Sequence, residues 1–322
     1  MSAFGWQRLM RQNRIPFALV LLALVVAVNL VLQPNLLEPV TLNSSMRLFL
    51  PLILVAVGQT VVILAGGIDI SVGAIVSIVN AILATQIGTK GDPGVAVLMM
   101  VLVLFVGMAA GAVNGFFVAV LRLQPIITTY ATSFLFGGLA LLILPSPGGG
   151  MPSAFTGFYR DTRPLGLPLA FFVIALIMLA WYGVRQTRYG RYLFAVGGNP
   201  DAAYQTGVPV SRVQFSTYVV SGFMSACGGI AITLLTGSGN AGIGDALTLT
   251  AITAVVIGGT ALSGGTGTVG GAIIGAIILS LIPNIISFAK VETWWQTFLN
   301  AAIIVLALAL PGILSLIRRR RT

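Results

Sequence analysis

Residues 66–73 read GGIDISVG, and Asp69 within them is the only charged residue between Arg47 and Lys90. A carboxylate at a helix centre in hydrocarbon costs about 2.5–3.5 kcal/mol on insertion scales, so it needs hydrogen-bond donors or a task. Gly66, Gly67 and Ser71 interrupt the apolar pattern around it. Irregular backbone at membrane depth is tolerated only where protein buries it or a watery cavity meets it. The chemistry open to such a segment is hydrogen bonding to a polar solute in passage. Asp69 also fits the N-cap of a helix starting at Ile70, accepting from backbone N–H groups near Val72. Cap and pathway roles both remain open on these residues.

Covalent chemistry finds no support. The chain has no histidine, and its seven acids are scattered without a pair. No G-x-x-x-x-G-K-[ST] loop exists to hold ATP phosphates, so no cofactor is expected and the chain is not read as an enzyme. Cys227, the only cysteine, lies in an apolar run and reads as a small packing residue.

The elements that must position Asp69 are membrane helices. Of 322 residues, 57% are apolar and 7% charged, with mean hydropathy +1.03. Uncharged runs of about 18 residues or more are candidate spans. Ten are expected, near 15–33, 47–65, 69–88, 94–121, 125–144, 165–184, 213–236, 246–261, 267–288 and 295–317. The fold class is therefore an all-α polytopic membrane protein of about ten transmembrane helices with Gly-rich broken segments, a single transmembrane domain over 1–322. Its solvent is the lipid bilayer. With both termini inside, twelve of the seventeen Arg and Lys fall on the cytoplasmic side, including Arg8, Arg11, Arg14 and Arg318 to Arg321, and five fall outside. That satisfies the positive-inside rule. The net charge of +10 is thus topological and gives no reason to expect nucleic acid as a partner.

Gly107, Gly111 and Gly115 share one helix face at four-residue spacing, as do Gly267, Gly271 and Gly275. Such grooves let helices approach closely in lipid, and packing inside one subunit is the expected use. Asn114 is a polar residue within a span and a candidate for the pathway. An internal repeat pairs TVVILAGGIDIS (60–71) with TAVVIGGTALS (253–263), which adds Gly258, Gly259 and Ser263 to the candidate pathway residues. Paired interrupted segments in two halves of a transporter point to the transport site.

Residues 185–212 form the longest loop assigned to the cytoplasm. Asn199 fits an N-cap, Pro200 the first helical position, Asp201 the positive end of the dipole, and Gly207 the C′ position. A helix of about two turns over 200–206, carrying Ala202 and Ala203, is too short to stand alone in water. It must dock on this protein's own helix ends or in a groove of a cytoplasmic partner. The Pro- and Gly-rich segment 145–165 on the other side, with Phe155, Phe158 and Tyr159, reads as a surface loop lying at the membrane interface.

Three segments together resemble the permease subunits of bacterial ABC importers for monosaccharides, the ribose type: GGIDISVG at 66–73, GRYLFAVGGNPDAAYQTGV at 190–208 and TAVVIGGTALSGGTGTVGG at 253–271. The resemblance runs over about 34–315 and includes the Asn114–Gly115 pair and the stretch from Pro125. It implies cytoplasmic ATP-binding subunits, a periplasmic or extracellular sugar-binding protein, and a second permease copy as homodimer or homologous heterodimer. It also implies a location in the bacterial inner membrane. By resemblance, Gly190, Arg191, Asn199, Asp201, Ala202, Ala203 and Gly207 belong to the ATPase-coupling segment. Ribose-type members carry acids just before AIAAVV, where this chain has Leu247, Thr248, Leu249 and Thr250, so the sugar is left open. Permeases for nucleosides or branched-chain amino acids are the alternative within the class. An ion-driven secondary transporter is the alternative outside it, with Asp69 the one acid that could serve the coupling.

Overall fold

In hydrocarbon a backbone must satisfy its own N–H and C=O groups, and the apolar runs accordingly fold as helices bounded by Gly, Pro and Asp. The computed structural model describes residues 15–290 together with Glu292, Trp295, Phe298, Leu299, Ala301, Ala302 and Val305. The chain opens with helices α1 (Ile15–Leu32), α2 (Pro39–Leu64), α3 (Val72–Gln86), α4 (Pro93–Gly115) and α5 (Pro125–Ile143). Then come α6 (Ser153–Asp161), α7 (Leu169–Gln186), α8 (Arg188–Gly198), α9 (Pro200–Gln205), α10 (Val210–Thr236), α11 (Asp245–Ile257) and α12 (Val269–Phe288). α4 runs on through one π-helical turn, Phe116–Val120. Among the described residues there is no strand, only an isolated antiparallel bridge between Gly148 and Gly239.

Among the described residues six helices are long and apolar enough to cross a membrane: α2, α4 with its π turn, α5, α7, α10 and α12. α1, α3 and α11 are shorter apolar helices. The tenth expected span, 295–317, lies for the most part outside the described residues, as do Arg8, Arg11, Arg14 and Arg318 to Arg321. Two expected spans change character. Segment 69–88 yields only the 15 residues of α3, and 246–261 only the 13 of α11. At 1.5 Å per residue these are about 22 and 20 Å long, short of the ~30 Å hydrocarbon core. Irregular backbone at 65–71 and 237–244 leads into each of them.

The core of the bundle is α2, buried at every residue from Phe49 to Leu64, and α3 beside it. α7 sits at the rim and buries only Ala170 and Trp181. α10 crosses α2, α3 and α4. The glycine groove of α4 is the reason it can: a Cβ at Gly111 would strike the Tyr218 carbonyl, and one at Gly222 the Gly107 carbonyl. The second glycine series holds in part: Gly271 and Gly275 of α12 are set against Gly258 and Ala254 at the end of α11, while Gly267 lies before the helix, at φ 143°, against Thr260. Both grooves thus serve packing within one chain. Gly111→Ala is therefore expected to lower the thermal midpoint in detergent, since overpacking costs about 1–3 kcal/mol. Gly137→Ala on α5, with nothing within 4 Å of the added methyl, should leave it unchanged or raise it. A thermal melt of both variants checks this.

Two helices replace what reads in sequence as loop. α6 is amphipathic and pinned from above the bundle: the buried Tyr159 hydroxyl donates to the Arg47 carbonyl at 2.8 Å, and Arg160 Nε donates to the Leu235 carbonyl at 3.0 Å. Its Phe158 is exposed. Burial lifts the Tyr159 phenol above its ordinary range, opposed by the Arg47 charge. α8 starts at an N-cap, Thr187 Oγ1 accepting from Gly190 N at 3.2 Å. It buries Gly190, Leu193, Val196 and Gly197 along one face.

Candidate functional site

Asp69 is fully buried, at the bend between α2 and α3. Its Oδ1 accepts from Ser71 N at 3.0 Å and from Ser71 Oγ at 2.7 Å, and its Oδ2 accepts from Ser221 Oγ of α10 at 2.8 Å. Asn114 Nδ2 of α4 donates to Ser71 Oγ at 2.7 Å and lies 3.5 Å from Asp69 Oδ1. Thr132 Oγ1 of α5 donates to Asn114 Oδ1 at 2.6 Å. Every hydrogen in this chain points toward the carboxylate. The Gln59 amide brackets the Asp69 main chain, Nε2 donating to its carbonyl at 3.0 Å and Oε1 accepting from its N–H at 3.3 Å. Thr129 Oγ1 accepts from Ile70 N at 3.0 Å and donates to the Pro125 carbonyl at 2.9 Å. One bend is thereby tied to α2, α4, α5 and α10.

This arrangement corrects the capping expectation. α3 begins at Val72, not Ile70, with Ser71 in the cap position. Asp69 closes the turn before the helix and does not bond Val72. The structure brings together Asp69, Ser71 and Asn114 from the sequence candidates. Gln59, Thr129, Thr132 and Ser221 were missed, although each is a polar residue inside an uncharged run, which is the signal that could have found them. Gly67 is there because a Cβ would fall 2.6 Å from the Tyr218 hydroxyl.

A second polar clasp holds the irregular segment 237–244 against α3. Asn80 Nδ2 donates to Thr233 Oγ1 at 2.9 Å and to the Ser238 carbonyl at 3.1 Å, and its Oδ1 accepts from Asn240 N at 2.7 Å. Ser77 Oγ accepts from Gly244 N at 3.1 Å, and Thr248 Oγ1 from Gly73 N at 3.2 Å. Gly73 and Gly244 meet backbone to backbone, with no room for a Cβ on either.

Gly66, Gly258, Gly259 and Ser263 lie apart from the Asp69 cluster, at the end of the bundle occupied by α8. The internal repeat is real in local geometry. Gly66 N donates to the Ile63 carbonyl at 2.9 Å and Gly67 N to that of Val62 at 3.0 Å. At the matching positions Gly259 N donates to Val256 at 2.9 Å and Thr260 N to Val255 at 3.1 Å. Gly66 (φ 82°) and Gly259 (φ 91°) take the left-handed conformation this helix end requires. The connection that follows the second end also touches the first. Gly265 N donates to the Leu64 carbonyl at 3.1 Å, and a Cβ on Gly264 would lie 2.9 Å from Gly66 Cα. Between them sits Gly197 of α8, where a Cβ would strike the Leu64 carbonyl and come within 2.5 Å of Gly265 N. Its neighbour Gly198 has nothing within 4 Å of the corresponding methyl position.

Beyond that junction α9 forms as the sequence predicts, one residue shorter. Asn199 Oδ1 accepts from Ala202 N at 3.0 Å, and Gly207 (φ 81°) closes the helix with its N–H on the Tyr204 carbonyl at 2.9 Å. Only Ala203 of α9 is buried, while Asp201, Ala202, Tyr204 and Gln205 are exposed. Of the other candidates here, Gly190 is buried against the end of α7, and Arg191 is exposed.

Apolar helices knotted around buried hydrogen bonds, with two helices that stop short of full depth, define a multi-pass membrane protein. The family model described as branched-chain amino acid transport system / permease component matches residues 41–308, and the chain belongs to that family. It is 34% identical over 306 residues to the ribose import permease protein RbsC of Escherichia coli, covering 93% of this chain and 92% of the relative. It is 36% identical over 294 residues to RbsC of Bacillus subtilis, covering 90% of each. The galactose/methyl galactoside import permease protein MglC of Escherichia coli is 31% identical over 311 residues, covering 91% of this chain and 93% of the relative. No solved structure matches.

Proposed function

We propose that this chain is the permease subunit of an ATP-driven importer for a monosaccharide, a pentose or similar neutral sugar, and forms its translocation pathway. The observation that carries the reading is the end-to-end match to ribose and galactose import permeases, which includes both broken segments and the α8–α9 region. ATP hydrolysis belongs to a separate subunit. The chain is read with ten spans and both termini in the cytoplasm, which puts α8 and α9 on the inner face and α6 on the outer. Cytoplasmic ATP-binding subunits then meet 185–212 around the exposed face of α9. A sugar-binding protein delivers from outside, and a second permease copy completes the path.

The interior chemistry favours a neutral solute over an amino acid. The Asp69 cluster offers hydroxyls, amides and a carboxylate already held by four polar groups. Lys90, Arg122, Arg160, Arg163, Arg185, Arg188, Arg191 and Arg212 all lie at helix ends or in the connections and short helices between spans, and Arg47, two turns into α2, is turned to the Arg160 carbonyl of α6 at 3.1 Å. A neutral polyol can exchange water for such groups without burying an unpaired charge, whereas a free carboxylate lacks a cation to meet it. The test is uptake by the complex in proteoliposomes with a panel of binding proteins. A neutral sugar should be carried and should stimulate ATP hydrolysis. If amino acids alone do so, the sugar reading falls and the importer class stands.

A further inference from the structure

Asp245 is exposed at the start of α11, with Ala246 and Leu249 exposed beside it and Asn240 and Gly242 exposed just before. In sequence it lies between two spans and reads as a loop residue at the membrane surface. The structure places it away from both ends of the bundle, by two independent routes. Its neighbour Gly244 is packed on Gly73, which lies about 20 Å along α3 from Gln86 at the outer end, at 1.5 Å per residue. From the other side, α11 rises about 18 Å from Ile257 at the α8 end to Asp245. Both routes put the carboxylate near the middle of the bundle's height. An ionisable group at that depth faces a water-filled cavity or the bundle interior, not lipid tails. The exposed strip ends within two turns, because every residue from Ala251 to Val256 is buried.

We propose that the upper face of α11, led by Asp245 with Asn240 and Gly242 before it, is a wall of the translocation path. There Asp245 accepts hydrogen bonds from the hydroxyls of a neutral polyhydroxylated solute in transit. The inference rests on the importer reading above. The clasp explains how such a wall is held at depth. Asn240 N is fixed on Asn80 Oδ1 at 2.7 Å, Asn240 Oδ1 turns back to Gly242 N at 2.9 Å, and Ser77 holds Gly244. The loop backbone is thereby satisfied by the protein behind it, and the carboxylate stands in front. Thr250 does not compete for the solute, since its hydroxyl donates to the Ala246 carbonyl at 2.6 Å.

The test uses the assembled, reconstituted transporter in a Cys227→Ser background, which removes the only native thiol. Ala246→Cys and Leu249→Cys should react with a water-soluble methanethiosulfonate at least about tenfold faster than Leu142→Cys, an exposed apolar position on α5 expected to face lipid. Ribose-loaded or galactose-loaded binding protein should slow that reaction. Asp245→Asn, which still accepts hydrogen bonds, should retain part of sugar uptake, and Asp245→Leu should lose it. Cysteines as unreactive as Leu142→Cys, spontaneous disulfides between two copies at Ala246→Cys, or normal uptake by Asp245→Leu would each overturn the proposal. The labelling arm decides alone where Asp245→Leu does not insert. Failure of the importer reading shows separately, as absent sugar uptake by the unmodified complex.

Discussion

Asp69→Leu is expected to abolish uptake and to lower the thermal midpoint in detergent, while Asp69→Asn keeps a measurable fraction of both. The carboxylate is the acceptor for Ser71 N, Ser71 Oγ and Ser221 Oγ, all of them buried. Leucine leaves those donors without a partner, at about 1–3 kcal/mol for each group stranded. Losses of that kind add up to a large part of a typical folding stability of roughly 5–15 kcal/mol. Asparagine keeps one carbonyl oxygen for Ser71, and the Ser221 hydroxyl can turn to accept from the new amide. Membrane insertion is not at risk in either variant, because both substitutions remove a charge from an apolar chain. Ser221→Ala should fall between the two, since it strands only Oδ2 of Asp69. The measurement is sugar uptake in vesicles beside a melt of each purified variant. An equal response to Leu and Asn would mean that the charge itself matters and that the hydrogen-bond account is wrong.

Much of this fold is legible in the chain because a membrane protein leaves few choices. Apolar runs of sufficient length become helices, and the four-residue glycine series of Gly107 and Gly271 become close crossings. Asn199, Pro200 and Gly207 terminate α9 where helix-end chemistry says they should. The repeat of 60–71 in 253–263 emerges as the same hydrogen-bonded helix end, built twice. What escapes is the depth of each break. Hydropathy counts apolar residues and so extends α3 and α11 to full spans. It has no access to the fact that Asn80 and Ser77 satisfy backbone groups of 237–244 while Thr248 holds Gly73 N of α3, which lets that segment leave the helix inside the bundle. For the same reason Asp245 reads as a surface residue. α8 is missed because its apolar face, Leu193 and Val196, is interleaved with Arg, Tyr and Gly and scores as loop. The partners of Asp69 are missed because a span's hydropathy does not say which Thr or Ser faces inward.

Gly197→Ala should leave ATPase capture intact and yet uncouple hydrolysis from transport, whereas Gly198→Ala one residue away should be silent. Gly197 is the point where α8 touches the end of α2 at Leu64 and the connection after α11 at Gly265. A methyl there drives into the Leu64 carbonyl and the Gly265 N–H, the pair whose 3.1 Å hydrogen bond joins those two segments. Backbone on both sides cannot rotate away as a side chain would, so α8 must move outward or the bond must open. In either case a push on α9 no longer arrives at Leu64 and, through the following bend, at Asp69. Gly198→Ala adds its methyl to open space and changes nothing but local helix propensity. Gly207→Pro supplies the opposite phenotype. Proline cannot take φ 81°, and it lacks the N–H that Gly207 gives to the Tyr204 carbonyl. α9 should then lose its closing turn and capture of the ATPase should fall with it. The readouts are copurification of the ATPase, sugar-stimulated hydrolysis and uptake, measured for all three variants. Gly197→Ala should lose uptake by about tenfold or more, equivalent to about 1.4 kcal/mol of coupling, with capture unchanged. Equal behaviour of Gly197→Ala and Gly198→Ala would show that the glycine junction transmits nothing. Full capture by Gly207→Pro would show that the ATPase engages some other part of the inner face.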